Sequence, residues 1–209
     1  KIGTKKGESK WISCDLSRKK VQLIRSNHDA ILVGKETVLH DNPKLNLRDE
    51  YQTIPQKFIF ILDSNLSIPY SEELKIIRFN EKKKIYIFTK INCDKNKIKQ
   101  IKKLGLNPVQ VREKKGQLDI SDILLKIGSL QINKLLVEGG SSIWTTFIKD
   151  NFFDEIIIFW GNNILNGTGM PAFKDFLPGN SLIKHFPRLK LKYINTWGDD
   201  IEAVWKPIT

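Results

Sequence analysis

Residues 134–144, Lys134-Leu135-Leu136-Val137-Glu138-Gly139-Gly140-Ser141-Ser142-Ile143-Trp144, decide the fold class of this chain. Residues 135–137 form a short, wholly apolar run, which predicts a strand covered on both sheet faces. Two glycines follow where the chain turns, and Ser141 or Ser142 is placed to cap the helix that starts there. The free N–H groups and positive dipole end of such a helix start suit an anion, most often a phosphate or pyrophosphate. Glu138 stands at the carboxyl end of the strand, where α/β sheets place their ligands. The run is not GxGxxG, and no full dinucleotide fingerprint occurs in the chain. A tight strand-to-helix turn beside a surface glutamate would read the same way, so both readings stand on this run alone.

Working outward, strands and helices alternate. The spacing predicts a helix over 15–27 and a buried strand over 30–33 ending at Gly34. The stretch 34–43 that follows also fits a plain capped single helical turn stopped by Pro43. Strands are expected over 57–62, 84–89 and 108–112. A helix over 94–104 should be stopped by Gly105, and a helix capped by Asp119 should end at Gly128. The helix over 142–150 turns Ile143, Trp144, Phe147 and Ile148 inward. Strands over 155–160, 189–195 and 201–205 arrive without helices between them. The expectation is one α/β domain with a mixed, mostly parallel central sheet flanked by helices, antiparallel at one end.

The 209 residues suffice for a real core, and with 40% hydrophobic and 28% charged residues the composition is that of an ordinary soluble protein. The longest apolar runs, 58–62 and 156–160, are far too short to span a bilayer, so no membrane partner is expected. Cys14 and Cys93 form no CxxC and no disulfide framework, which points to a reducing cytoplasm. His28, His40 and His185 have no metal-ligand spacing, so no metal is expected. The net charge of +12 raises a nucleic-acid-binding domain as a reading of another class. Lysines such as Lys95, Lys97, Lys99, Lys102 and Lys103 are spread over turns and helix faces without interleaved aromatics, so they read as solvated surface and no nucleic acid is expected.

Three further clusters carry chemistry. In Gly7-Glu8-Ser9-Lys10-Trp11-Ile12-Ser13, Ser9 offers a hydroxyl and Trp11 a flat surface for a ring; a loop with one packed Trp fits equally. In the stretch 34–43, Thr37 and Asp41 lie just past a strand's carboxyl end. Arg48 follows that turn, and Arg25 ends the first helix. Together the two arginines could grip a phosphate bidentately, or be two surface arginines.

In this order the segments GESKWIS (7–13), the helix ending Leu23-Ile24-Arg25, AILVGKETVLHDNPKLNLR (30–48), Leu62-Asp63-Ser64, LLVEGGSSIWTTF (135–147) and FDEIIIFWGNNILNGTGMPAF (153–173) resemble the reductase domain of the bacterial bifunctional riboflavin-biosynthesis deaminase/reductase. The resemblance covers nearly the whole chain and is weakest over 66–130. It implies a dihydrofolate-reductase-like fold and NADPH-dependent reduction of the ribosyl group of 5-amino-6-(5-phosphoribosylamino)uracil to the ribitylamino phosphate. It implies substrate contacts from Lys1, Ser9, Arg25, Leu45, Arg48 and Glu138, with Arg25 and Arg48 on the phosphate and Glu138 also catalytic through proton delivery. It implies an NADPH site lined by Trp11, Thr37, Asp41, Ser64, Gly140, Ser141, Ser142, Ile143, Trp144, Thr145 and Thr146. A homodimer or higher homo-oligomer is expected through the β-rich final third, with Phe152, Phe153 and Trp160.

One departure stands out. The family carries an Asp-Gly-Lys motif at the end of its first strand, and Lys1 matches that Lys. The first strand and any upstream zinc deaminase domain, with its HxE…PCxxC pattern, are therefore expected outside residues 1–209. The rival enzyme reading is a dihydrofolate-reductase-like reductase of another pterin or pyrimidine, which would not need the arginine pair. A degenerate, non-catalytic domain ranks last.

Overall fold

The structure, a computed structural model, describes residues 1–47 and 57–208. Its elements are α1 (Asp15–Ser26), β1 (Ala30–Gly34), α2 (Lys35–Asp41), β2 (Phe58–Leu62), α3 (Lys75–Arg78), β3 (Ile85–Lys90), α4 (Lys95–Lys103), β4 (Asn107–Val111), β5 (Glu113–Lys114), β6 (Gln117–Leu118), α5 (Ile120–Gly128), β7 (Leu135–Gly139), α6 (Ser141–Lys149), β8 (Ile156–Trp160), β9 (Leu189–Trp197) and β10 (Asp200–Pro207). The chain divides into two compact units. One is contiguous, Ile24–Gly140; the other joins Lys1–Leu23 to Ser141–Thr209.

In the contiguous unit five parallel strands run in the order β4-β3-β2-β1-β7. β1 and β2 are continuous apolar runs because strands inside a parallel sheet bury both faces. One face presents Ile31, Val33, Ile59, Ile61, Ile85 and Ile87, all fully buried and part of one core cluster. The other presents Leu32, Phe60 and Phe88, the last two with ring centroids 5.7 Å apart. α4 and α5 start where expected: the Asp94 carboxylate accepts the Asn96 N–H at 2.7 Å, and that of Asp119 accepts the Ser121 N–H at 3.0 Å. Gly105 takes a left-handed φ of 78° after α4.

α5 ends at Gly128 as expected, with Ser129 as its C-cap. Three expectations change here. α2 makes two turns rather than one, because Asn42 adopts a left-handed φ of 39° and its N–H reaches the Val38 carbonyl, closing the helix just ahead of Pro43. Residues 135–137 are half-buried, not covered on both faces, because β7 has only β1 as neighbour among the described residues. The final strands do not extend the parallel sheet: β8, β10 and β9 form an antiparallel sheet of their own in the discontinuous unit, in that order.

Within that discontinuous unit, β9 and β10 form a hairpin turned by Gly198 and Asp199, with Gly198 at φ 63°. Ala203, Val204 and Glu202 are buried on β10. Asp200, also buried, accepts the Cys14 N–H at 2.7 Å and so ties the start of α1 to the hairpin. α6 buries Phe147 as expected but also Thr145, leaving Ile143, Trp144 and Ile148 half-buried.

Candidate functional site

In the contiguous unit the carboxyl ends of three neighbouring strands, β7, β1 and β2, gather the residues that the sequence singles out. β1 ends at Gly34 and feeds α2, whose first turn holds Thr37 and whose last residue is Asp41, one turn further along the same face. β2 ends at Leu62 and is followed by Asp63 and Ser64. β7 ends with Glu138 and Gly139, followed by Gly140. Ligands of open α/β sheets bind at this edge.

The β7–β1 register explains where Glu138 points. Leu32 pairs with Val137, but the next residue, Val33, pairs with Gly139. Glu138 is thus the extra residue of a bulge, and a bulge re-aims the side chain it carries. The carboxylate meets Arg25 from the last turn of α1: Nε donates to Oε1 at 2.5 Å and Nη2 to Oε2 at 2.6 Å. Arg25, foreseen as a phosphate ligand, therefore spends one edge of its guanidinium on Glu138 and keeps three N–H bonds for other acceptors.

Gly140 is open on the ligand side. A side-chain carbon built there would meet only the Thr37 Oγ1, at 3.7 Å, an ordinary contact. This empty cradle and the hydroxyls of Thr37 and Ser64 fit a dinucleotide phosphate and ribose. Leu45 sits in the core with a left-handed φ of 54°, so only its backbone is offered to a ligand. The Asn42–Leu45 turn is anchored from outside: the Asn42 Oδ1 accepts the Lys75 N–H at 2.9 Å, and the Asn80 amide donates to the Lys44 carbonyl at 2.5 Å. Arg48 lies outside the described residues.

In the other unit, Trp11 is 63% exposed, and the Arg18 guanidinium stacks 4.2 Å from its ring centre. Arg18 also donates to the Ser13 carbonyl and pairs with Asp15. Ser9 is half-buried, and its carbonyl accepts the Ile12 N–H. Lys1 is exposed at the start of a short bridge in which the Ile2 N–H meets the Met170 carbonyl at 2.9 Å. Ser141 does not cap α6. It is the first helical residue, and its hydroxyl donates to the Pro171 carbonyl. Thr145 donates to the Ser141 carbonyl and accepts the Lys174 N–H at 2.8 Å, so its hydroxyl is used inside the fold. Thr146 bonds the Ser142 carbonyl. Among the residues of α6, this leaves backbone N–H groups of the first turn, with the exposed Ser142, as the groups open to an anion. Sequence reasoning passed over Asp63, quoted only as part of a strand end; a carboxylate whose donors are two backbone N–H groups and two hydroxyls of the loop that follows leaves no residue pattern to read.

The sequence profile of the RibD C-terminal domain matches residues 1–203. This chain belongs to that family. RibD of Aquifex aeolicus is 34% identical over 206 residues, covering 99% of this chain and 54% of the relative. RibD of Actinobacillus pleuropneumoniae is 32% identical over 203 residues, covering 96% and 52%. The chain thus spans about half the length of the curated relatives it matches. Acinetobacter baumannii RibD superposes with a TM-score of 0.82 at 21% identity over 100% of this chain and 55% of its own. The Thermotoga maritima diaminohydroxyphosphoribosylaminopyrimidine deaminase/5-amino-6-(5-phosphoribosylamino)uracil reductase does so with 0.77 at 24% identity, over 100% and 53%. At these identities the two structures speak for the fold, which is the α/β reductase fold expected from the sequence. No helix among the described residues is long and apolar enough to cross a membrane.

Proposed function

We propose that this chain catalyses the NADPH-dependent reduction of the ribosyl group of 5-amino-6-(5-phosphoribosylamino)uracil to the ribitylamino phosphate. The observation that carries the reading is the bulged Glu138, held by Arg25 at the carboxyl edge of the sheet beside the open Gly140. Membership of the RibD C-terminal domain family gives it the reaction class.

Bound NADPH would supply the hydride that reduces C1 of the opened ribose, at the imine or aldehyde level. Gly140, Thr37, Asp41 and Ser64 would hold it, together with Trp11 and the start of α6 from Ser141 through Ser142, Ile143, Trp144 and Thr145 to Thr146. Glu138 keeps lone pairs on both oxygens beyond those used by Arg25, so it can accept from sugar hydroxyls or pyrimidine N–H groups and help deliver the proton that accompanies reduction. Arg25, through its remaining edge, and Arg48 hold the phosphate. Lys1, Ser9 and the Leu45 backbone complete the substrate contacts.

Relatives about twice as long as this chain, one of them named for both deaminase and reductase activities, support a covalently linked upstream zinc deaminase domain. Phe152 and Trp160, exposed on the discontinuous unit, are the proposed homo-oligomer contacts, with the half-buried Phe153 beside them. A reducing cytoplasm suits the two free cysteines.

The test is NADPH consumption by the full-length protein with the phosphoribosylamino substrate, with NADH and dihydropterin as controls. Turnover with NADPH and the phosphorylated pyrimidine alone is expected. Turnover of dihydropterin instead would replace this reading with that of a pterin reductase.

A further inference from the structure

Asp63 precedes Ser64 and is fully buried. Its carboxylate takes four donors from one short loop. Oδ1 accepts the Ser67 N–H at 2.9 Å and the Ser67 hydroxyl at 3.0 Å; Oδ2 accepts the Ile68 N–H at 2.9 Å and the Tyr70 hydroxyl at 3.2 Å. Burial, followed by the nearby Asp63 charge, pushes the Tyr70 hydroxyl far above the ordinary phenol range, so it stays a donor.

The other side of the loop is fixed as firmly. The Asp63 N–H donates to the Phe88 carbonyl at 3.0 Å. The Ser64 carbonyl accepts the Thr89 hydroxyl at 2.8 Å and the Lys90 N–H at 3.1 Å. Leu66 turns the chain with a φ of 49°. Ser64 is thus held by the end of β3, while its hydroxyl has no bonded partner among the described residues. A buried carboxylate is costly unless its acceptor positions are used, so the loop that supplies these four donors is tied to the arrangement in which they reach it.

We propose that Asp63 is a positioning residue: it holds residues 64–70 in the one arrangement that presents the Ser64 hydroxyl to NADPH, an inference that rests on the cofactor reading above.

The experiment measures NADPH Kd and pyrimidine KM for Asp63→Asn, Ser64→Ala and the double variant of the full-length protein. Asp63→Asn keeps the size but turns one acceptor oxygen into a donor, which breaks one half of the four-donor knot. The expected result is an NADPH Kd raised about tenfold with pyrimidine KM within about twofold of wild type. Ser64→Ala should raise Kd by a similar factor, and the double variant should add little, because both remove the same contact. If Asp63→Asn fails to fold, Tyr70→Phe and Ser67→Ala each remove a single donor and should raise NADPH Kd in the same selective way. Unchanged Kd in a folded variant, equal increases in both constants, or fully additive losses in the double variant would overturn the role of Asp63 alone. Failure of the wild-type protein to bind NADPH would overturn the cofactor reading and this inference with it.

Discussion

Arg25 and Glu138 meet fork to fork, Nε on Oε1 at 2.5 Å and Nη2 on Oε2 at 2.6 Å, with each side chain 16% exposed. Parallel charge-assisted bonds of this kind set direction as well as energy. The relationship makes Arg25 part of the orientation of Glu138, and Glu138 part of the orientation of Arg25.

Arg25→Ala should therefore cost stability as well as affinity. Leaving Glu138 half-buried and unpaired costs on the order of 1.5–3 kcal/mol. Glu138→Gln keeps the shape, and loss of a proton-delivering carboxylate should lower kcat by about 100-fold or more. A double-mutant cycle on thermal stability checks the pair; strictly additive losses would mean that the two do not act together.

Arg48→Ala tests the phosphate clamp. Loss of a charge-assisted contact of about 1.5–3 kcal/mol should raise KM for the phosphorylated substrate roughly 10- to 100-fold and leave NADPH affinity near wild type. An unchanged KM would remove Arg48 from the substrate site.

Two glycines should respond in opposite ways. At Gly140 an added carbon meets only the Thr37 Oγ1, at 3.7 Å, so Gly140→Val should fold normally and lose NADPH affinity by crowding the ligand. At Gly161 the same carbon would lie 2.0 Å from the Ile12 carbonyl oxygen, so Gly161→Ala forces backbone to move and should cost about 1–3 kcal/mol of stability. Melting curves with and without NADPH separate the two; wild-type NADPH affinity in Gly140→Val would place the cofactor elsewhere.

Acid should destabilise the fold through a few identifiable carboxylates. The Lys134 and Asn133 N–H groups, at 2.9 Å each, hold the Asp29 carboxyl below its ordinary range against the opposing effect of burial, helped by the Lys57 and Lys134 charges. The Ser121 hydroxyl does the same for Asp119. At Asp200 burial pushes upward, but the Ser17 hydroxyl and the Cys14 N–H and thiol, helped by Arg18, win and hold it low. The unfolded chain then binds protons more readily than the folded one, so stability rises with pH in that window. The contribution is complete above about pH 4 and is lost as pH falls through the lowered native values. Melting temperatures over the acid range should fall less steeply for Asp29→Asn than for wild type. Equal slopes would discount Asp29.

Local chemistry was the legible part of this chain. Asp94 and Asp119 cap their helices because capping is a matter of two neighbouring residues, and the apolar runs of β1 and β2 identify strands of a parallel sheet. The placement of Thr37, Ser64, Glu138 and Gly140 at strand ends follows from the same alternation. What escaped is pairing at a distance. Arg25 and Glu138 lie 113 positions apart, and the bulge that turns one toward the other exists only in the β1–β7 register. The apolar run at 135–137 shows what could be buried, not how many strands flank it.

The division of the chain also orders its birth. Residues Ile24–Gly140 emerge from the ribosome as one uninterrupted stretch that already contains all five described strands of its parallel sheet. Residues Lys1–Leu23 have been made by then, but their partners, Ser141–Thr209, have not. The parallel unit can therefore complete its core during synthesis, whereas Lys1–Leu23 must wait for β8, β9 and β10 before their own unit closes. A ribosome from which Gly140 has just emerged would display a folded sheet beside a stretch, Lys1–Leu23, whose partners are still to come, and that stretch, with Trp11, Cys14 and Leu16 uncovered, is where a nascent-chain chaperone has most to hold.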